Sequence, residues 1–214
     1  GARRRAAIDA ARRIVEDAFN TANEAAGVQD PAGFSKVLAE VVRNIEALGP
    51  NESLLLPGGW RGTLSVGWVM HLLQRSPDGA TFTVTTSNVG QGLEYHLSKP
   101  FHDKTKFAPC LVLRGVGRDK VLDPAFWAQS LALWARAEAS EFCRVEVIYD
   151  VLLPWLLLES PGTPTEGESK LLPSGQLAAY SEANLEPEWR SSARSGAAGA
   201  WKASLEAVRF FLRG

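Results

Sequence analysis

The chain has 214 residues, 45% of them apolar, and a formal net charge of −1 with acids and bases interspersed. That is enough apolar side chain for a sizeable core and argues against global disorder. It also lacks the basic excess with which a dedicated nucleic-acid binder displaces counterions from phosphates.

Residues 2–26 read as a helix: alanine is abundant, Ile8, Val15, Ala18, Phe19 and Ala22 form a modest apolar stripe, and Gly27 stops it. The arginines at 3, 4, 5, 12 and 13 share this helix with Asp9, Glu16 and Asp17, the pattern of a solvated charged face. A second helix begins near Pro31. Phe34, Val37, Leu38, Val41, Ile45 and Leu48 keep the 3.6-residue period, and Gly49-Pro50 ends it. A short apolar run at 54–56 is then closed by Pro57-Gly58-Gly59.

The stretch 66–86 reads as a β-hairpin. A strand at 66–74 meets the turn signal Ser76-Pro77-Asp78-Gly79, and the β-branched segment 81–86 follows. Residues 93–97 are a candidate strand, His102 and Asp103 lie in a lysine-rich loop, and 110–113 is a buried strand, apolar without alternation. Asp123-Pro124 opens a helix bearing Phe126, Leu131 and Trp134. Residues 144–158 read as helical, with Pro154 a kink or an end, and 160–175 is a Pro-, Gly-, Ser- and Thr-rich loop or lid candidate. A last helix spans about 199–213, with Trp201, Leu205, Val208 and Leu212 expected on its core face.

Only two cysteines occur, Cys110 and Cys143, both in apolar runs, which fits free thiols in a reducing compartment. The Arg-rich start lacks the apolar centre of a secretory leader. No run of about 18 apolar residues exists to span a membrane. An intracellular location is expected, and the Gly-Ala opening and the ending at Gly214 read as the edges of a domain cut from a longer protein.

The small-residue segment 195–200 lets a ligand or another backbone come close to the start of the last helix, where the helix end stabilises a thiolate or an oxyanion. The helix opens Gly199-Ala200-Trp201-Lys202-Ala203-Ser204. His71 lies in the strand 66–74, and Asn88 follows the next strand seventeen positions later. A hairpin can set such a pair side by side, the asparagine holding one imidazole nitrogen while the other serves as general base. His96, beside Glu94 and Gln91, is a reserve base, and His102 with Asp103 a weaker pair. In isolation each has a bland reading: a structural strand histidine, a turn asparagine before Gly90, an Ala/Gly-rich helix entry. Three histidines without Cys or Glu at ligand spacing do not make a metal site. The Gly-x-Gly at 90–92 is not followed by a helix pattern, so no dinucleotide loop and no cofactor is expected.

Gly199-Ala200-Trp201 resembles the Gly-x-Cys-Trp or Gly-Cys-Trp start of the central helix of papain-like cysteine proteases, with alanine at the nucleophile position. Ala198 is a second candidate for that replacement. The order His, Asn, nucleophile resembles the permuted arrangement of ubiquitin-like-protein proteases and the adenoviral protease, over about 66–96 and 194–213. The stretch from Asn88 to residue 200 is longer than in that family, and position 194 is Arg where a glutamine is expected. Gln91 or Gln176 is then the available oxyanion donor, and Trp68 is an alternative alignment for the key position. The resemblance implies an α+β, papain-like fold in which a central antiparallel β-sheet packs against helices. A helical region at 1–50 joins a protease-like region at 51–214, together one compact domain. It further implies a cysteine hydrolase or deubiquitinase with His71 as base, Asn88 orienting it and Ala200 at the thiolate position. Gly59, Trp60, Gln91, Gly199 and Trp201 would hold a protein substrate such as a ubiquitin-like Gly-Gly tail. A natural alanine at 200 would instead make a non-catalytic binding module, for which seven tryptophans are the natural anchors. An acyltransferase with the same triad is a third reading.

Overall fold

A computed structural model describes residues 2–135, 140–158 and 199–212. The fold is α+β. Helices α1 (Ala2–Gly27) and α2 (Pro31–Glu46) lead into strands β1 (Ser53–Arg61), β2 (Val66–Arg75) and β3 (Thr81–Ser87). A 3-10 turn at Leu93–Tyr95, a small hairpin of β4 (Ser98–Phe101) and β5 (Lys104–Phe107), and strand β6 (Cys110–Gly117) follow. Then come α3 (Arg118–Val121), α4 (Pro124–Ala135), a π-helical stretch Val147–Leu152 running into α5 (Leu153–Leu156), and α6 (Gly199–Phe211). The main sheet has the order β1-β2-β3-β6, antiparallel throughout, and β4-β5 forms a separate two-stranded sheet.

Strand alternation divides the core in two. Leu55, Met70 and Leu72 face one side and pack with Ala18 of α1 and Ala203 and Ala207 of α6. Leu56, Val69, Leu73, Val84, Leu111 and Leu113 face the other and pack with α2, α4 and the π-helical stretch. The sheet is therefore a middle layer, and the N-terminal helical pair completes its core rather than standing apart. Helix α2 starts where the sequence predicts: Asp30 is its N-cap, its carboxylate accepting from the Gly33 amide at 2.8 Å, with Pro31 in the first turn. Asp123 serves α4 in the same way, accepting from the Ala125 amide at 2.7 Å.

Several expectations are corrected. Strand β1 does not stop at residue 56 but runs through Pro57, Gly58 and Gly59. It is the edge strand, so Pro57 has an open side on which a missing N–H costs no ladder bond. Residues 93–97 hold a 3-10 turn and no strand, while the lysine-rich loop is the β4–β5 hairpin. Residues 145–156 are helical without a break, as the sequence predicts, but the backbone widens into π geometry over Val147–Leu152 before Pro154, which stands in the first turn of α5, where its missing N–H is tolerated. On α6 the buried side chains are Ala203, Ser204, Glu206 and Ala207, whereas Leu212 is exposed. Small alanines let the helix axis approach the sheet; the larger apolar residues lie toward its margins. The lid candidate at 160–175 lies outside the described residues. Among the described residues no helix is long and apolar enough to cross a membrane.

Candidate functional site

His71 sits opposite Leu56 on one side and Thr86 on the other, in the middle of the sheet. Its ring is on the α4 side, edge-on to Trp127 with centroids 6.2 Å apart. Nδ1 is 3.0 Å from the Thr86 hydroxyl, and Nε2 abuts Gly58, where an added methyl would stand 2.5 Å from it. Burial pushes the imidazole down to about 4, so it is neutral at physiological pH. Helix α6, which carries position 200, packs on the opposite sheet face through Ala203 and Ala207. The sheet thus separates His71 from α6. Gly199 and Ala200 form the first turn of α6 as expected, Trp201 follows in the helix, and Ala198 lies outside the described residues.

Asn88 is brought to His96 and not hydrogen-bonded to His71. Its side-chain nitrogen donates to the Gln91 carbonyl at 2.7 Å and to the Tyr149 hydroxyl at 2.9 Å, and its oxygen accepts from the Gly90 amide at 2.8 Å. His96 Nδ1 is 2.9 Å from the Ala108 carbonyl, and Nε2 is 2.9 Å from the Tyr149 hydroxyl. A carbonyl only accepts, so Nδ1 carries the proton and Nε2 is the acceptor. Tyr149 therefore donates to His96 and accepts from Asn88, and every polar atom in the chain of bonds is matched. Burial pushes His96 down to about 4, against the pull of the Ala108 bond, and pushes the Tyr149 hydroxyl up. Tyr95 stacks on Tyr149 with centroids 4.7 Å apart and donates to the Asp150 carboxylate at 3.2 Å. Burial and the neighbouring Asp150 push its hydroxyl up to about 12. The reserve base is thus part of a sealed structural network. No motif marked Tyr149, because its partners come from segments more than 50 positions away.

Tyr149→Phe keeps the ring stack and removes only the hydroxyl. It leaves the buried His96 Nε2 without a donor, a loss of about 1–3 kcal/mol. The urea midpoint should fall with an unchanged denaturant slope; an unaltered midpoint would mean that the network carries no net stability.

Gly59 and Trp60, expected to hold a Gly-Gly tail, lie inside the protein. Trp60 is fully buried, its indole N–H donating to the Ser65 hydroxyl at 3.0 Å, and Gly59 (φ 148°) faces the Gly67 carbonyl across the strand pair. Trp127 and Trp134 are buried too, and Trp68 and Trp155 are partly buried against the same core, so these five tryptophans are core residues, not surface anchors.

The surface feature at this end is a cleft of about 420 Å³ between the β1–β2 turn, Gln91 and residues 140–146. Ser140 N donates to the Arg61 carbonyl at 3.2 Å, tying the far wall to the end of β1. Leu64 in the turn is 97% exposed and Phe142 in the facing segment 80% exposed. Glu141, Arg144 and Glu146 supply charge of both signs along the cleft, and Gln91 is exposed at it. Among the described residues no group of three His, Cys, Asp or Glu is arranged to hold a metal ion. No protein-family model matches the chain, and no curated protein or solved structure matches it.

Proposed function

We propose that the chain is a non-catalytic protein-binding module whose binding face surrounds the cleft between the β1–β2 turn and residues 140–146. The observation that carries this reading is the enclosure of His71: it is neutral, bonded to Thr86, and on the sheet face away from α6. Asn88 and His96 are likewise spent on internal bonds, which leaves the expected triad without a base free to reach residue 200. Exposed single leucines are ordinary on protein surfaces. Leu64 is different in that it lines the cleft, and the exposed Phe142 lies in the facing segment between the lining residues Glu141 and Cys143, so that a partner seated there would bury both.

The competing proposal, a cysteine hydrolase or deubiquitinase acting on a ubiquitin-like tail, draws on residue 200 standing in the first turn of α6, where a thiolate would be stabilised. Two experiments together separate these proposals. A photo-crosslinking side chain at Leu64 is expected to give a discrete adduct with a partner protein, lost on Phe142→Asp at unchanged melting temperature. Ala200→Cys and Ala198→Cys are expected to stay unmodified by an electrophilic ubiquitin-like C-terminal probe. A covalent adduct at either cysteine that vanishes on His71→Ala would overturn the non-catalytic reading.

A further inference from the structure

The β4–β5 hairpin stands outside both core clusters and has an unusual face. Its register sets Lys99 opposite Lys106 and Phe101 opposite Lys104. Residues directly opposite in a ladder share a face, and alternate residues along a strand do too. Lys99, Phe101, Lys104 and Lys106 therefore form one face, and Ser98, Pro100, Thr105 and Phe107 the other. Ser98 through Phe101 and Lys104–Thr105 are exposed, and Phe101 keeps 45% of its surface in solvent. The Lys106 ammonium lies 3.4 Å from the Phe101 ring centroid, and the His102 ring stands edge-on to the same ring at 4.6 Å.

Two features of this face point outward. The charge is concentrated: residues 98–107 contain three lysines and one acid, Asp103, in a chain whose net charge is −1. The strand edges differ as well. Pro100 leaves β4 without one N–H, whereas β5 has no proline and, among the described residues, no strand on its outer edge.

We propose that the hairpin is a docking strand for an acidic, extended protein segment, which adds to the outer edge of β5 and sets its carboxylates against Lys104 and Lys106. In such an added strand, side chains alternate between faces. Acids at every second position meet the lysine face, and the intervening apolar residues meet the side of Thr105 and Phe107. The lysines also select: they repel basic strands and give neutral ones nothing, so self-pairing of hairpins is disfavoured while an acidic strand is attracted. A single-stranded nucleic acid fits less well. One face of the Phe101 ring is already covered by the Lys106 ammonium, and a nucleic acid makes no use of the β5 backbone edge. The inference deepens the protein-binding reading by naming a second surface and the chemistry of its partner.

The test uses the whole chain with three labelled probes: a peptide of alternating Glu and Val, its Lys–Val counterpart, and oligothymidylate. The Glu–Val peptide is expected to bind saturably, more weakly as salt rises, and to slow amide exchange at residues 104–107. Lys104→Glu with Lys106→Glu should weaken it about tenfold or more, and Lys104→Gln with Lys106→Gln should weaken it less, both at unchanged melting temperature. Leu64→Asp with Phe142→Asp should leave this binding intact, so that failure of the cleft reading and failure of the hairpin reading are seen separately. The proposal is overturned by absence of saturable peptide binding, by equal binding of the Lys–Val peptide or oligothymidylate, or by binding indifferent to the charge-reversed variant.

Discussion

Lowering the pH from about 6.5 to about 4 is expected to remove several kcal/mol of folding stability, on the order of 3 kcal/mol for each of two buried histidines. His71 and His96 are both fully enclosed and held down to about 4 by burial, with no carboxylate among their hydrogen-bond partners. Between that value and the ordinary histidine value the unfolded chain binds protons that the folded chain refuses. The stability they contribute is fully present above about 6.5 and is lost as pH falls toward 4. The sum is comparable to the whole stability of an ordinary domain, about 5–15 kcal/mol. Most of the window lies above the usual carboxylate range, so these imidazoles dominate it. Urea midpoints measured across the window should therefore fall steeply. His71→Leu, which replaces the ring with an apolar group between Leu56 and Thr86 and against Trp127, should remove about half of the slope. A flat profile from near neutrality down to pH 4 would mean that water or a local opening reaches both rings.

The same burial explains why the expected triad was legible as residues and not as a site. The 66–86 hairpin, the start of α2 at Pro31 and the cap at Asp123 follow from local chemistry, and the structure has them within a residue or two. Which side His71 faces does not follow. Met70 and Leu72 are apolar, and so are Val69 and Leu73, because both faces of β2 are covered by helices. A strand buried on both faces carries no alternation with which to assign its sides. Helix α6 misleads for a related reason. Its strongest apolar periodicity, through Leu205, Val208 and Leu212, marks its margins, while the contact with the sheet is made by Ala203 and Ala207, which weigh little in any hydrophobic pattern. The β4–β5 hairpin escaped because its residues are exposed on nearly every position, so neither face has the hydrophobic signature of a strand. Glycines are the third ambiguity. A glycine required by the close approach of a ligand and one required by the close approach of the protein's own tryptophan look alike in a sequence.

That last ambiguity is resolved most sharply at Gly67. It lies directly opposite Trp60 in the β1–β2 ladder, and a methyl group on it would overlap three carbons of the six-membered ring of the Trp60 indole. The ring has nowhere to go: Trp60 is fully buried, and its N–H is held by Ser65. Gly59, at φ 148°, is the neighbouring residue along β1, and a methyl group on it would collide with the Gly67 carbonyl oxygen. Gly67→Ala must then expel the indole or part the strands, and either forfeits burial comparable to truncating the tryptophan, about 3–5 kcal/mol. Gly115→Ala is the control. Gly115, unlike Gly67, has a left-handed backbone (φ 68°), but no atom lies within 4 Å of an added Cβ, so only the backbone strain of about 1–2 kcal/mol applies. The mechanism has a signature that a merely weakened strand would not produce. If the alanine acts by displacing the ring, Trp60→Leu should cost much less in the Gly67→Ala background than in the parent, giving a coupling energy of about 2 kcal/mol or more in a double-mutant cycle. Additive costs would instead assign the glycine to strand geometry alone. Strong coupling would mean that Gly59, Trp60 and Gly67 form one packed unit, whose chemical role is to hold the β1–β2 turn, and Leu64 with it, in place at the rim of the cleft.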